Sequence, residues 1–180
     1  MNTTKSDKIV QDFAQKEPKY KRSTRKFSAT FNTTSEQIFP LLCPTREADW
    51  IPNWDPKLIY TESGYAEENC VFRTAHSNSK RDALWTFTGY KPNKYVEYVR
   101  FEPDILTHVK IDVIQNDNET TTVTWFITST AISKKGNSLI ENTKNSHKSN
   151  PVIKLMEHYL KTGELISKTS PIFKMAHRRQ

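Results

Sequence analysis

Three carboxylates lie close together in the sequence, on either side of two tryptophans. The acids are Glu47, Asp49 and Asp55, and the tryptophans are Trp50 and Trp54. A carboxyl group that packs against an indole can have a raised pKa, and it can then serve as a general acid. Helix capping and the solvation of strand ends would account for the same acids without any catalysis. The cluster is therefore a candidate for acid–base chemistry, but no residue is assigned a catalytic role.

The other reactive residue types do not form catalytic or metal-binding motifs. The histidines show no HxH or HExxH spacing and stand at His76, His108, His147, His158 and His177. No GxSxG, GxGxxG or P-loop motif occurs, so nucleophilic catalysis and phosphate binding by a glycine loop have no support. Cys43 and Cys70 are expected to be free thiols, although a disulfide between them stays open. The sequence thus predicts neither a metal site nor a cofactor.

Positive charge is concentrated at the two ends of the 180-residue chain, whose net charge is +7. Residues 1–26 hold eight Lys/Arg and three Asp/Glu, and residues 161–180 hold five Lys/Arg and one Glu. We expect a polar extension at 1–19, one domain at 20–166 and a basic tail at 167–180. Solvated tails are the simpler interpretation, and contact with nucleic acid or anionic lipid is the alternative. Because no apolar run is long enough for a signal peptide or a membrane span, a cytoplasmic location is expected. Because solvated tails are the favoured interpretation of the basic ends, no nucleic-acid partner is expected.

Alternating apolar residues predict about seven β-strands. In the first strand Phe27, Ala29 and Phe31 alternate with polar residues. The links between later strands are short and rich in Pro, Asn and Asp, which is typical of hairpins in an antiparallel sheet. On two neighbouring strands one face carries bulky apolar side chains, at Val109, Ile111, Val113, Val123, Trp125 and Ile127. The opposite face, with His108 and Asp112, is predicted to be largely polar.

Two short helices and one long helix complete the predicted elements. Residues 35–42 and 46–54 are predicted as short helices, limited in length by prolines. Near the C-terminus apolar residues recur at helical spacing, at Val152, Leu155, Met156, Tyr159 and Leu160. Pro151 suits the start of this helix and Gly163 suits its end. The helix could also begin near Asn137, with a kink at Pro151.

A wide sheet that grips a single helix leaves space between the two, because a helix is only about 10 Å across. Large side chains, a ligand or both must fill that space. The predicted ligand-binding residues lie on the concave face, on the long helix and beside the short helices: Trp50, Trp54, Trp85, Phe87, Val109, Ile111, Trp125, Leu155 and Tyr159. Trp50 and Trp54 either stack against a ligand ring or lock the short helices onto the sheet. For every residue of this set, plain hydrophobic core is the competing interpretation.

Three sequence segments carry a resemblance to a known superfamily. They are Leu-Cys-Pro-Thr-Arg-Glu-Ala-Asp-Trp-Ile-Pro-Asn-Trp-Asp at 42–55, Glu-Glu-Asn-Cys-Val-Phe-Arg-Thr at 67–74 and Glu-His-Tyr-Leu-Lys-Thr-Gly at 157–163. Together with the order of elements, they resemble bacterial members of the START-like (SRPBCC) superfamily over roughly 24–166. This group includes birch-pollen-allergen-like proteins, START lipid-transfer domains and aromatic polyketide cyclases. The resemblance implies an α+β helix-grip fold with a cavity for a hydrophobic or amphipathic ligand, such as a lipid, sterol or polyketide.

Two functions fit this sequence, and a third is weaker. The favoured one is a non-enzymatic module that binds or carries a small hydrophobic ligand in an internal cavity. The alternative is a cavity enzyme, a cyclase, dehydratase or hydrolase that uses Glu47, Asp49 and Asp55. Since one fold can host binders and enzymes, the resemblance does not decide between them. The third is nucleic-acid or partner binding through the basic ends, which would depend steeply on salt.

Overall fold

A seven-stranded antiparallel sheet is the main element of the computed structural model, which describes residues 20–74, 82–144, 151–167, 169–171 and 173. The spatial order is β1-β7-β6-β5-β4-β3-β2. The strands are β1 (Arg22–Phe31), β2 (Pro56–Tyr60), β3 (Val71–Thr74), β4 (Ala83–Lys91), β5 (Tyr95–Glu102), β6 (Ile105–Gln115) and β7 (Thr121–Ala131). The predicted α+β meander of seven strands is confirmed. The expected extension at 1–19 and most of the expected tail at 167–180 lie outside the described residues.

The helices differ from the prediction in their limits. They are α1 (Ser35–Ile38), a 3-10 turn (Phe39–Leu42), α2 (Pro44–Glu47), α3 (Lys134–Lys144) and α4 (Pro151–Thr162). The second short helix begins and ends earlier than predicted, because Pro44 starts it and successive turns follow from Ala48. Pro151 does start the C-terminal helix, and Gly163, with φ +71°, follows its end as expected. Within the described part of the chain, no helix has the length and apolar character needed to cross a bilayer.

The hydrophobic core lies between the concave face of the sheet and α4. Most inward positions of β6 and β7 are buried as the alternation predicts, with Val123 and Ile111 at most 1% exposed, whereas Ile127 is partly buried. From α4, Leu155 and Met156 pack onto this face. The outer face is less polar than predicted, since Leu84, Phe101 and Leu106 are exposed and pair across three strands. The burial pattern of the chain is therefore that of a one-sided sheet covered by a helix.

Among the described strands, β1 pairs with β7 alone. The two strands run antiparallel over ten residue pairs, from Arg22↔Thr130 to Phe31↔Thr121. Lys21 reinforces the contact, because its backbone N–H donates to Asn137 Oδ1 on α3 at 2.8 Å. All other neighbouring strands follow one another in the sequence. The position of β1 is therefore fixed by contacts with β7 and α3, which lie far from it in the sequence.

Candidate functional site

A cavity of about 210 Å³ lies between the concave face of the sheet and α4. Four strands contribute one row of side chains to its floor, since Arg25, Ile127, Val109 and Tyr98 are successive cross-strand partners. Further wall residues come from the strands, from the end of α2, from the turns after it and from the first turn of α4. Two larger clefts, of about 490 and 550 Å³, lie at the surface, and neither is lined by a buried ionisable group. The smaller cavity is therefore the candidate site.

The apolar part of the cavity wall is dominated by three indoles. Its members are Ile51, Trp54, Trp85, Val109, Trp125, Ile127 and Val152. Trp54 and Trp85 meet edge to face, with ring centroids 5.6 Å apart and planes at 72°. The Trp54 indole N–H donates to the Pro44 carbonyl at 2.8 Å, and that of Trp85 donates to Thr74 Oγ1 at 2.8 Å. Because these two donors are already satisfied, both indoles offer a ligand only their apolar faces.

Glu47 places a buried carboxyl group in the wall. It is the last residue of α2, and only 9% of its surface is exposed. Burial raises the pKa of Glu47 to about 8, because a charged carboxylate is poorly solvated there. No donor among the described residues forms a hydrogen bond with this carboxyl group. At neutral pH Glu47 is therefore mostly protonated, and it can donate a proton or a hydrogen bond into the cavity.

Tyr98 and two arginines line the same cavity near Glu47. Burial raises the pKa of the Tyr98 hydroxyl, and the nearby Glu47 raises it further. Burial lowers the pKa of Arg25, and the positive charge of Arg100 lowers it further. Arg100 Nη2 forms an ion pair with Glu102 Oε2 at 2.8 Å, but its buried Nε has no hydrogen-bond partner among the described residues. This part of the wall thus presents several polar groups that the described residues of the protein do not satisfy.

The predicted site residues separate into two groups in the structure. Trp54, Trp85, Val109 and Trp125 line the cavity. The others belong to the core without lining it: Trp50, Phe87, Ile111 and Leu155 are buried, and Tyr159 is partly buried against the core cluster. Trp50 is only 1% exposed and donates from its indole N–H to the Leu41 carbonyl, so it locks the short helices in place.

The polar wall residues were not predicted by the apolar pattern. Arg25 has the same parity on β1 as the inward-facing Phe27, and Arg100 has the same parity on β5 as the buried Val96. An inward position occupied by arginine was the signal that could have identified both residues. Tyr98 lies between Val96 and Arg100 in the same alternation, so its inward position could have been predicted from that alternation alone.

The three carboxylates considered for catalysis do not form one cluster. Asp49 accepts a hydrogen bond from Arg46 Nε at 2.7 Å, and Asp55 forms an ion pair with Lys57 at 2.9 Å. Both acids are well exposed. Only Glu47 lines the cavity. Of the three acids that the enzyme alternative would use, the structure therefore places only Glu47 at the cavity, because the turns after α2 direct the two aspartates to solvent.

The remaining candidate residues have structural surroundings. His108 lies on the outer face, as expected, with Nε2 at 2.6 Å from Glu97 Oε1 on the neighbouring strand. Cys43 and Cys70 are free thiols. Among the described residues, no three His, Cys, Asp or Glu side chains are grouped so that they could hold a metal ion.

Solved structures are similar to this chain in fold, although no protein-family model and no curated protein matches it. SA2116 of Staphylococcus aureus, a protein of unknown function, aligns with a TM-score of 0.62 and 10% identity over 82% of this chain and 98% of its own. A norcoclaurine synthase of Thalictrum flavum, a point mutant with a transition state analogue, gives 0.59 and 8% over 82% and 100%. DynU16, from the dynemicin biosynthetic locus, gives 0.53 and 12% over 78% of this chain, which spans about half (48%) of that protein. At such identities the likeness shows the fold alone, and the fold is the helix-grip fold that the START-like resemblance implied.

Proposed function

We propose that the protein binds or carries a small hydrophobic or amphipathic ligand in the cavity between the sheet and α4. The observation that carries the proposal is the composition of the wall, in which indole faces adjoin polar groups that have no hydrogen-bond partner among the described residues. An apolar cavity with a few polar groups at defined positions is the usual architecture of small-molecule sites. The helix-grip fold of the neighbours fits the same role.

The volume of the cavity limits the size of its ligand. Pockets for drug-sized molecules measure roughly 300–1,000 Å³. The cavity of about 210 Å³ lies below this range. A ligand of one or two fused rings is therefore proposed in preference to a sterol or a two-chain lipid, which would require the wall to move apart.

Saturable binding of a neutral two-ring probe tests the proposed function. In isothermal titration calorimetry, one molecule of naphthalene-2-carboxamide is expected to bind per protein chain. Val152→Trp should abolish this binding, because Val152 lines the cavity and a larger side chain there fills it. Ile153→Trp is the matched control, since Ile153 packs against the core on the same helix without lining the cavity. If the unaltered protein never saturates, the proposed function is wrong.

A cavity enzyme is the second candidate function, and Glu47 is the observation that favours it. A carboxyl group with a pKa of about 8 is protonated at neutral pH and is suited to general-acid catalysis. For any turnover found with this protein, Glu47→Gln is expected to reduce kcat by a factor of roughly 10² or more. Asp49→Asn and Asp55→Asn should keep full activity, because both acids face solvent. A kcat that is unchanged in Glu47→Gln would remove the basis of this candidate.

A further inference from the structure

Two arginines enter the candidate cavity from different strands. Arg25 projects from the inward side of β1, and Arg100 projects from the inward side of β5. Their backbones are separated by β7 and β6, but both side chains reach the same cavity, where the positive charge of Arg100 adds to burial in lowering the pKa of Arg25. The long side chains thus bring two positive charges together over one small volume.

The described residues supply too little negative charge to neutralise this pair of arginines. Among the described residues, Arg100 has one acidic partner, Glu102, and no acid pairs with Arg25. The remaining acid of the wall, Glu47, is mostly protonated at neutral pH. One positive charge is therefore left without a counter-charge. Partly buried charges in proteins are normally paired, so this excess indicates that something else supplies the missing anion.

Hydrogen-bond donors are also left over at this end of the cavity. The Nε–H of Arg100 is buried without an acceptor among the described residues, although buried donors in folded proteins almost always have one. The guanidinium itself is held in position over the Trp85 ring, with Cζ 5.3 Å from the ring centroid, and through its ion pair with Glu102. A fixed, planar guanidinium with free donors is the group that binds carboxylates most effectively.

We propose that the ligand of this cavity is a small aromatic monoanion, whose ring lies against the indoles and whose carboxylate is held by Arg25 and Arg100. The inference rests on the proposed function and narrows it to one ligand class. A single negative charge matches the single uncompensated positive charge of the wall. The protonated Glu47 and the Tyr98 hydroxyl complete the set of donors around the carboxylate.

A pair of isosteric probes separates the charge of the ligand from its ring. 2-Naphthoate and naphthalene-2-carboxamide have the same ring system and nearly the same shape, but only the first is an anion. In lipid-free buffer at pH 6.5 and 0.15 M salt, naphthoate is expected to bind roughly tenfold more tightly or better, which is the effect of one charged hydrogen bond. Arg25→Gln and Arg100→Gln should each remove most of this preference and leave the affinity of the amide within about twofold.

Arg73→Gln is the matched control for both variants. Arg73 is exposed on β3, so its substitution lowers the net charge equally without touching the cavity. The naphthoate preference should survive in this variant. The inference is overturned if the preference for naphthoate disappears equally in Arg73→Gln or persists in both cavity variants. Either result would mean that the preference comes from the general positive charge of the protein. If both probes bind the unaltered protein equally well, the anion inference fails while the proposed function stands. If neither probe saturates, the proposed function fails.

A pH profile of the unaltered protein tests the same inference without any substitution. Tyr98, Arg25 and Arg100 are the titratable groups that share the cavity with Glu47. As the pH rises through about 8, Glu47 ionises and supplies the missing negative charge itself. Naphthoate affinity should therefore fall several-fold between pH 6.5 and pH 9, and amide affinity should stay constant. Parallel profiles for the two probes would contradict the inference even if the arginine variants did not fold.

Discussion

The protein is expected to lose stability as the pH rises from about 4.5 to about 8, and Glu47→Gln should remove most of this loss. The pKa of Glu47 is raised from 4.5 to about 8 in the folded state by burial. Between these two values the folded chain keeps a proton that the unfolded chain has released. Stability falls with pH wherever the folded state binds more protons. The stabilising contribution of the protonated carboxyl is thus complete below pH 4.5 and lost as the pH passes about 8.

The size of this effect follows from the shift in pKa. Each unit corresponds to about 1.4 kcal/mol, so the whole shift amounts to roughly 3–5 kcal/mol of unfolding free energy. Urea unfolding at pH 5, 6.5 and 8 measures it as the difference between the unaltered protein and Glu47→Gln. Glu68→Gln provides the control, because Glu68 is an exposed glutamate. Unfolding free energies of the unaltered protein and Glu47→Gln that run parallel over this range would show that Glu47 is not buried as a neutral acid.

The pKa of Glu67 is shifted in the opposite direction, downwards, so this residue does not affect the measurement. Hydrogen bonds from Ser63, from Thr61 and from the Glu62 backbone lower its pKa to about 2. Its contribution to stability is therefore present above pH 4.5 and is lost only as the pH falls towards 2. The two glutamates act in separate pH ranges.

Phe87→Ala is expected to destabilise the protein by roughly 3–5 kcal/mol while the affinity for naphthalene-2-carboxamide changes little. Phe87 is 1% exposed and contacts three other aromatic rings, with centroid distances of 6.1 Å to Phe72, 6.2 Å to Tyr90 and 5.6 Å to Tyr98. Removing its ring leaves a void among these partners, which costs both burial and packing energy. Because Phe87 does not line the cavity, the ligand loses no direct contact.

Phe101→Ala is the matched control for this substitution. Phe101 lies on the outer face of the neighbouring strand β5 and is 48% exposed. Its removal should cost less than about 1 kcal/mol, as surface substitutions usually do. Thermal or urea unfolding at pH 6.5 gives both values, and calorimetry gives the affinities. If the Phe87→Ala protein folds but no longer binds the amide, Phe87 contacts the ligand after all, as the sequence analysis predicted.

The sequence predicted the sheet and the helix that covers it, since both depend on periodicity. Val109 and Trp125 were placed on the cavity wall because the alternation of β6 and β7 is regular. Trp50 and Trp54 were indistinguishable by type, and only the structure separates them. One donates to Leu41 from within the core, whereas the other donates to Pro44 from the cavity wall. Local spacing does not determine such choices, because they depend on where the turns after α2 direct each side chain.

The arginines of the cavity escaped prediction for a different reason. Sequence patterns identify the inner face of a strand by its apolar residues. A charged residue at an inward position therefore looks like a break in the apolar alternation. Arg25 and Arg100 are interruptions of this kind. Local patterns and the global fold are expected to disagree most often at functional sites. The positions where the alternation failed are thus the ones that the proposed ligand uses.

The attachment of β1 to β7 has a consequence for how the protein folds. Strands β2 to β7 can form by successive hairpins, whereas Arg22 and Thr130 are 108 positions apart when they meet. Closing so long a loop is entropically costly and slow compared with forming a hairpin. We infer that β1 docks late, and Arg25 arrives in the cavity with it. A partly folded chain would then lack one of the two arginines, and an anionic ligand would act as a selective stabiliser of the finished fold.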